Sequence, residues 1–110
     1  MRQTIDQARA LGVPAIEIHT GTYANASSEL RRKKALNELR RAAAHAKDLG
    51  LAVHAGHGLT VRNVGPVARI AEVEELNIGH SIISRAVFVG IGEAVREMLR
   101  AMRDSRGAGP

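Results

Sequence analysis

The chain has 110 residues, a formal charge of +5 and no cysteine, which suits one small domain and excludes a disulfide scaffold or a thiolate metal site. Hydrophobic residues at 45% and charged residues at 25% are globular proportions, not those of a disordered chain. No apolar run approaches the ~20 residues of a membrane span, and the opening Met-Arg-Gln-Thr-Ile-Asp holds no signal core, so a cytoplasmic protein is expected. With one Tyr and one Phe, the core must rely on aliphatic packing. The basic excess fits nucleic acid, an acidic surface or phosphorylated small molecules, or simply solvated helix faces.

Residues 4–11 read as the end of a helix. Thr4 and Gln7 have capping-box spacing, Ile5, Ala8 and Leu11 share a face, and Gly12 is placed to end it. Ala15-Ile-Glu-Ile-His19 alternates as a strand, with Ile16 and Ile18 on one face and Glu17 and His19 on the other. Residues 20–25 read as a loop by composition. A long helix is predicted from about Ser28 to Leu49, capped by Ser27 or Ser28 and ended by Gly50. Its apolar stripe is Leu36, Leu39, Ala43, Ala46 and Leu49, with Arg31–Lys34, Arg40 and Arg41 around it.

A second strand, 51–55, runs into Gly56-His57-Gly58-Leu59-Thr60. A short helix over 64–71 follows, with Pro66 in its first turn. The third strand is 75–78, and Gly79-His80 leads into a short apolar helix from Ser81 to about Val89. The last helix, about 92–103, aligns Ile91, Ala94, Val95, Met98, Leu99 and Met102, and a frayed tail is expected over 105–110. The order αβαβαβαα predicts parallel strands joined by helical crossovers.

Ligands of parallel α/β folds sit at the carboxyl ends of the strands. All three strands end there in polar, Gly-rich sequence, and four of the five histidines lie in or next to these strands. Glycine permits close backbone approach and positive φ, a following helix N-terminus favours an anion, and His57 can exchange a proton near neutral pH. A carboxylate facing inward from a strand, as Glu17 does, is costly to bury and therefore points to function, although an internal pair with a lysine would also satisfy it. His19 and His54 fit a structural hydrogen bond or a ligand role equally well. His45, mid-helix, reads as a surface or packing residue. No HExxH spacing supports a metal site. Arg31–Lys34 reads as a solvated face, and no aromatic platform supports nucleic-acid binding.

Three linked motifs resemble those of the pyridoxine 5′-phosphate synthase family: Ala15-Ile-Glu-Ile-His-Thr-Gly21 with Tyr23-Ala24, Ala55-Gly-His-Gly-Leu-Thr60 with Asn63-Val64, and Glu75-Leu-Asn-Ile-Gly-His80-Ser-Ile-Ile with Arg85-Ala-Val87. The resemblance runs from about Ile5 to Met102. It implies a (β/α)₈ barrel with extra helices, a homo-oligomer, and no metal or organic cofactor. The implied reaction condenses 3-amino-2-oxopropyl phosphate with 1-deoxy-D-xylulose 5-phosphate to give pyridoxine 5′-phosphate, phosphate and water.

By the same resemblance, Glu17 matches a glutamate that stabilises the transition state and His57 a proton donor. Gly58, Gly79 and His80 match residues that bind the aminoketone phosphate. A complete barrel takes about 250 residues. The 110 residues therefore correspond to one partial barrel domain, the last three βα units and the helix before them. The family's proton-accepting His and Glu, and its deoxyxylulose phosphate contacts, belong to the N-terminal half. The resemblance thus implies that this portion alone does not turn over. Two other classes compete with it: a non-catalytic phosphate-binding α/β domain and a basic nucleic-acid-binding module.

Overall fold

A computed structural model describes residues 2–108. Nine elements follow one another: α1 (Arg2–Ala10), β1 (Ala15–His19), α2 (Gly21–Ala24), α3 (Glu29–Asp48), β2 (Ala52–Gly56), α4 (Val64–Ala68), β3 (Val73–Asn77), α5 (His80–Val89) and α6 (Ile91–Ala108). The strands form one parallel sheet in the order β1-β2-β3. This is the α/β architecture expected, a sector of a barrel wall.

Register divides the sheet into two unlike faces. Ile18, Ala55 and Leu76 are partners, as are Ile16, Val53 and Val73, and these point towards the helices. Glu17, His54 and Glu75 are partners on the other face, followed by His19, Gly56 and Asn77. Val73 and Glu75 are two residues apart and would share a face in a regular strand. The register shift between Val53 and His54 leaves Glu74 as an extra residue, so Val73 stays in the core while Glu75 turns to the polar face.

The core lies between the apolar sheet face and the helices. Ile18, Val53 and Ala55 pack with Leu39, Ala43 and Ala46 of α3 and with Val64 and Val67 of α4. Alanines at the α3 contact let that helix lie close to the strands. The Ser28 hydroxyl caps α3 by accepting from the Arg31 N–H at 3.1 Å, as the sequence indicated. Outside the core, His45 Nε2 meets Asp6 Oδ1 at 2.7 Å and ties α3 to α1, a packing role.

Several local expectations are corrected. Residues 21–24 form a helical turn rather than a loop, because Ala24 and Asn25 N–H groups reach back to the Thr20 and Gly21 carbonyls. Thr4 lies inside α1, which starts at Arg2, so it is not the cap. The second strand spans 52–56 and the third 73–77, one residue later and about two residues earlier than read from sequence.

The largest correction is the tail. Helix α6 continues to Ala108, so 105–108 are helical, and of that tail 109–110 fall outside the described residues. The cause is Arg106. Its guanidinium donates to the carbonyls of Ala68, Ile70 (3.2 Å) and Val73 (2.9 Å), the open end of α4 and the start of β3. Arg106→Ala leaves those carbonyls to water. It is expected to cost about 1–2 kcal/mol of unfolding free energy, read from the urea midpoint, and to fray α6 after Arg103, read from amide exchange.

Candidate active site

The carboxyl ends of the three strands open into one cavity of about 670 Å³. All five residues singled out from sequence line it: Glu17 from β1, His57 and Gly58 after β2, and Gly79 and His80 after β3. His19, Thr60, Asn77, Ser81 and Ser84 supply further polar lining, and Leu59 and Ile78 are apolar. Strand pairing explains the convergence. His19, Gly56 and Asn77 are register partners, so each chain exits its strand at the same height.

Glu17 corrects its expectation. It lies on the open polar face of the sheet, where it is exposed rather than buried, and among the described residues it has no lysine partner. Its Oε1 accepts a 2.6 Å hydrogen bond from Asn77 Nδ2, which fixes the carboxylate at the cavity rim. Gly56 makes this contact possible. A Cβ there would stand 2.6 Å from the Asn77 carbonyl oxygen and 3.2 Å from Glu17 Oε1. Asn77 is a site residue that sequence reading passed over. The signal available was its place two residues after Glu75 in an alternating strand that ends at Gly79.

The β2–α4 loop is built differently from expectation. Positive φ was foreseen at glycine, and Gly58 has it at +75°, but His57 has it too, at +101°. Two consecutive left-handed residues turn the loop sharply over the strand end. Three contacts hold it there. The buried Thr20 hydroxyl donates to the His57 carbonyl at 2.6 Å, Asn63 Nδ2 donates to the Gly58 carbonyl at 3.2 Å, and the Tyr23 hydroxyl donates to the Asn63 carbonyl at 2.6 Å. The strained His57 backbone thus rests on α2 and its N-cap residue, which explains why Thr20 and Tyr23 are buried.

Gly79 departs from its rationale as well. Its φ is −133°, and a Cβ there would meet nothing within 4 Å. The chain itself does not need glycine at this position, so the space beside it is open to a ligand. Gly79 is the N-cap of α5 and offers no side chain to the helix end, leaving the first N–H groups of α5 without a side-chain cap. Ser81 Oγ donates to the Leu59 carbonyl at 2.6 Å and locks this helix start against the β2–α4 loop. His80, the first residue of α5, is exposed at the cavity edge.

His54 is not brought to the cavity. Its Nε2 lies 3.3 Å from Glu75 Oε2 deeper on the polar face. Among the described residues, no group of three or more His, Asp or Glu is placed to hold a metal ion. No helix among them is long and apolar enough to cross a membrane. Arg31–Lys34 are exposed along α3.

The glycines separate folding from binding. Gly56→Ala is expected to cost about 1–3 kcal/mol and to speed amide exchange at the end of β3, because a backbone carbonyl must move. Gly79→Ala is expected to change stability by less than about 0.5 kcal/mol. Tyr23 gives a pH signature. Burial holds its hydroxyl above the ordinary value of 10.0, outweighing the lowering by Arg32. The folded chain therefore keeps its proton where the unfolded chain loses it. Tyr23 stabilises fully below about pH 10 and loses that contribution as pH rises through its folded value. In alkaline urea titrations Tyr23→Phe should lower neutral-pH stability by about 1 kcal/mol and flatten the decline above pH 10.

Comparison with known proteins identifies the family of the chain. Residues 1–104 match the family described as Pyridoxal phosphate biosynthesis protein PdxJ. The pyridoxine 5′-phosphate synthase of Magnetococcus marinus is 52% identical over 103 residues, covering 94% of this chain and 42% of the relative. That of Synechococcus sp. is 59% identical over 98 residues, covering 89% and 41%. That of Coxiella burnetii is 56% identical over 94 residues, covering 86% and 39%. The chain therefore spans about two fifths of the length of the curated relatives it matches. On a match that covers nearly all of its length, the chain belongs to the PdxJ family of pyridoxal phosphate biosynthesis proteins.

Proposed function

We propose that residues 1–110 are one partial barrel domain, the C-terminal three βα units of a pyridoxine 5′-phosphate synthase. The reaction is the condensation of 3-amino-2-oxopropyl phosphate with 1-deoxy-D-xylulose 5-phosphate into pyridoxine 5′-phosphate, phosphate and water. The observation that carries this reading is the meeting of Glu17, His57, Gly58, Gly79 and His80, from three strand ends, around one cavity.

Each group suits a part of that chemistry. The open space beside Gly79, under the first N–H groups of α5, fits the aminoketone phosphate, with His80 at its edge. Gly58 brings bare backbone to the same ligand. The ring closure passes through cationic imine character, and a carboxylate held by Asn77 is suited to stabilise it. Expelling hydroxyl as water requires a proton, which the His57 imidazole at the cavity is placed to donate. The groups that abstract protons and bind deoxyxylulose phosphate come from the rest of the barrel.

The partners in this reading are the two small phosphorylated substrates, in the cytoplasm, with no nucleic acid or membrane. A homo-oligomer fits the apolar outer face of α5 and α6. There Val87 and the chain's sole phenylalanine, Phe88, are 80% and 81% exposed beside Ile83 and Ile91.

The test splices residues 1–104 into the Coxiella burnetii synthase in place of its homologous segment. Product from both substrates, and an oligomer by light scattering, are expected from the spliced protein, with none formed by the 110-residue chain alone. His57→Asn in it should lower kcat at least about 100-fold with the fold intact. A spliced protein that folds but forms no product refutes the synthase reading and leaves a phosphate-binding domain. Unchanged kcat in His57→Asn removes the proton-donor role.

A further inference from the structure

A proton donor must present a ring nitrogen in a fixed direction, and His57 has no evident means of doing so. It is exposed, sits in a sharp loop, and among the described residues no side chain hydrogen-bonds either of its ring nitrogens. Its backbone is pinned through Thr20, but that fixes the carbonyl and not the imidazole. The contact that does reach the ring is with His19. The two imidazoles stack with centroids 4.2 Å apart and planes inclined by 27°.

The surroundings are built for this stack. A Cβ on Gly21 would stand 3.1 Å from His57 Cδ2, 3.1 Å from His19 Cε1 and 3.2 Å from His19 Nδ1. Any side chain at 21 would wedge into both rings at once. His19 in turn ends β1, a rigid strand whose partner at that register is Gly56, so its Cα is held by the sheet. Rigid strand, bare glycine and stacked ring form one support under His57.

Stacking differs from the usual way of orienting a catalytic histidine. A carboxylate or carbonyl that bonds one ring nitrogen leaves only the other for chemistry. A ring held by its face keeps both nitrogens free at the cavity. We propose that His19 is the positioning residue for His57, acting through its planar ring and not through a proton of its own. The inference rests on the proposed synthase reading, since it takes His57 as the donor. It also gives His19, which sequence alone left between a structural and a ligand role, a specific task.

The test uses the 110-residue chain with labelled histidine rings, read by NMR. Wild type should show an NOE between the His19 and His57 rings and an upfield ring-current shift of the His57 Cδ2–H signal. His19→Ala should lose both and average the His57 side chain over rotamers. His19→Phe, which restores a planar ring without nitrogens, should recover the ring-current shift and the single rotamer. Gly21→Ala should displace the His57 signal while His19 is still present. Titration with inorganic phosphate, followed at the His80–Ile82 amides, should give the same Kd within about twofold in wild type, His19→Ala and His19→Phe.

A His57 ring as ordered in His19→Ala as in wild type overturns the proposal. So does a His19→Phe chain in which the ring stays disordered, or phosphate affinity that falls with His19→Ala, which would make His19 an anion ligand. Failure of phosphate to shift those amides in any variant counts against the proposed substrate site alone, because ring order is read without it.

Discussion

Helices α3 and α4 bury their apolar stripes against the face of the sheet made by Ile16, Ile18, Val53, Ala55, Val73 and Leu76, and α1 and α6 pack on them in turn. That face exists because β3 skips a residue. Without the bulge that sets Glu74 aside, Val73 and Glu75 would share a face, and either the core would lose a valine or it would gain a glutamate. The small residues of α3 answer to the same surface. Ala43 and Ala46 are fully buried where the helix backbone rests on the strands. A core with little aromatic area gains its stability from this close approach of backbone to backbone.

The site inherits its geometry from that arrangement. Because the strands end level, the loops that follow them must share a small volume, and the side chains there are sized to one another. Gly56 yields space to the Asn77 carbonyl and Glu17, Gly21 yields space to two imidazoles, and Ser81 bonds back to the Leu59 carbonyl. Each functional group is therefore held by a neighbour from another βα unit: Glu17 by Asn77 of β3, His57 by Thr20 and His19 of β1, the start of α5 by the loop after β2. Local backbone strain at His57 is tolerated only because these supports over-determine the loop.

Period-two and period-3.6 patterns carried most of the fold in the sequence, since alternation in 15–19 and the stripe of α3 follow directly from burial on one face. The five cavity residues were legible too, because polar, Gly-rich sequence at three successive strand ends, with a Gly-His pair after the second and the third, is a pattern in the chain itself. What escaped depends on contacts far apart in sequence. Asn77 meets Glu17 across 60 residues, and Arg106 reaches Val73 across 33, so neither the anchor of Glu17 nor the ordered end of α6 leaves a local trace. The positive φ of His57 was missed for a related reason: glycine advertises that freedom, whereas histidine adopts it only when Thr20 compels it.

The opposite face of the sheet changes what the composition means. Parallel strands are ordinarily apolar on both sides, and a barrel interior is ordinarily packed with branched aliphatic residues. Here the inward layer is Glu17, His54 and Glu75, with His54 and Glu75 already paired at 3.3 Å. The few aromatics are thus not the mark of an aliphatic barrel centre. The only tyrosine braces the β2–α4 loop and the only phenylalanine lies outside on α5. Charged groups on three adjacent strands cannot be enclosed without polar partners, because each buried charge needs hydrogen bonds or an opposite charge. In the proposed barrel, strands that enclose this face must therefore present donors and acceptors at those levels, making the interior there an extension of the polar cavity rather than a hydrophobic plug beneath it.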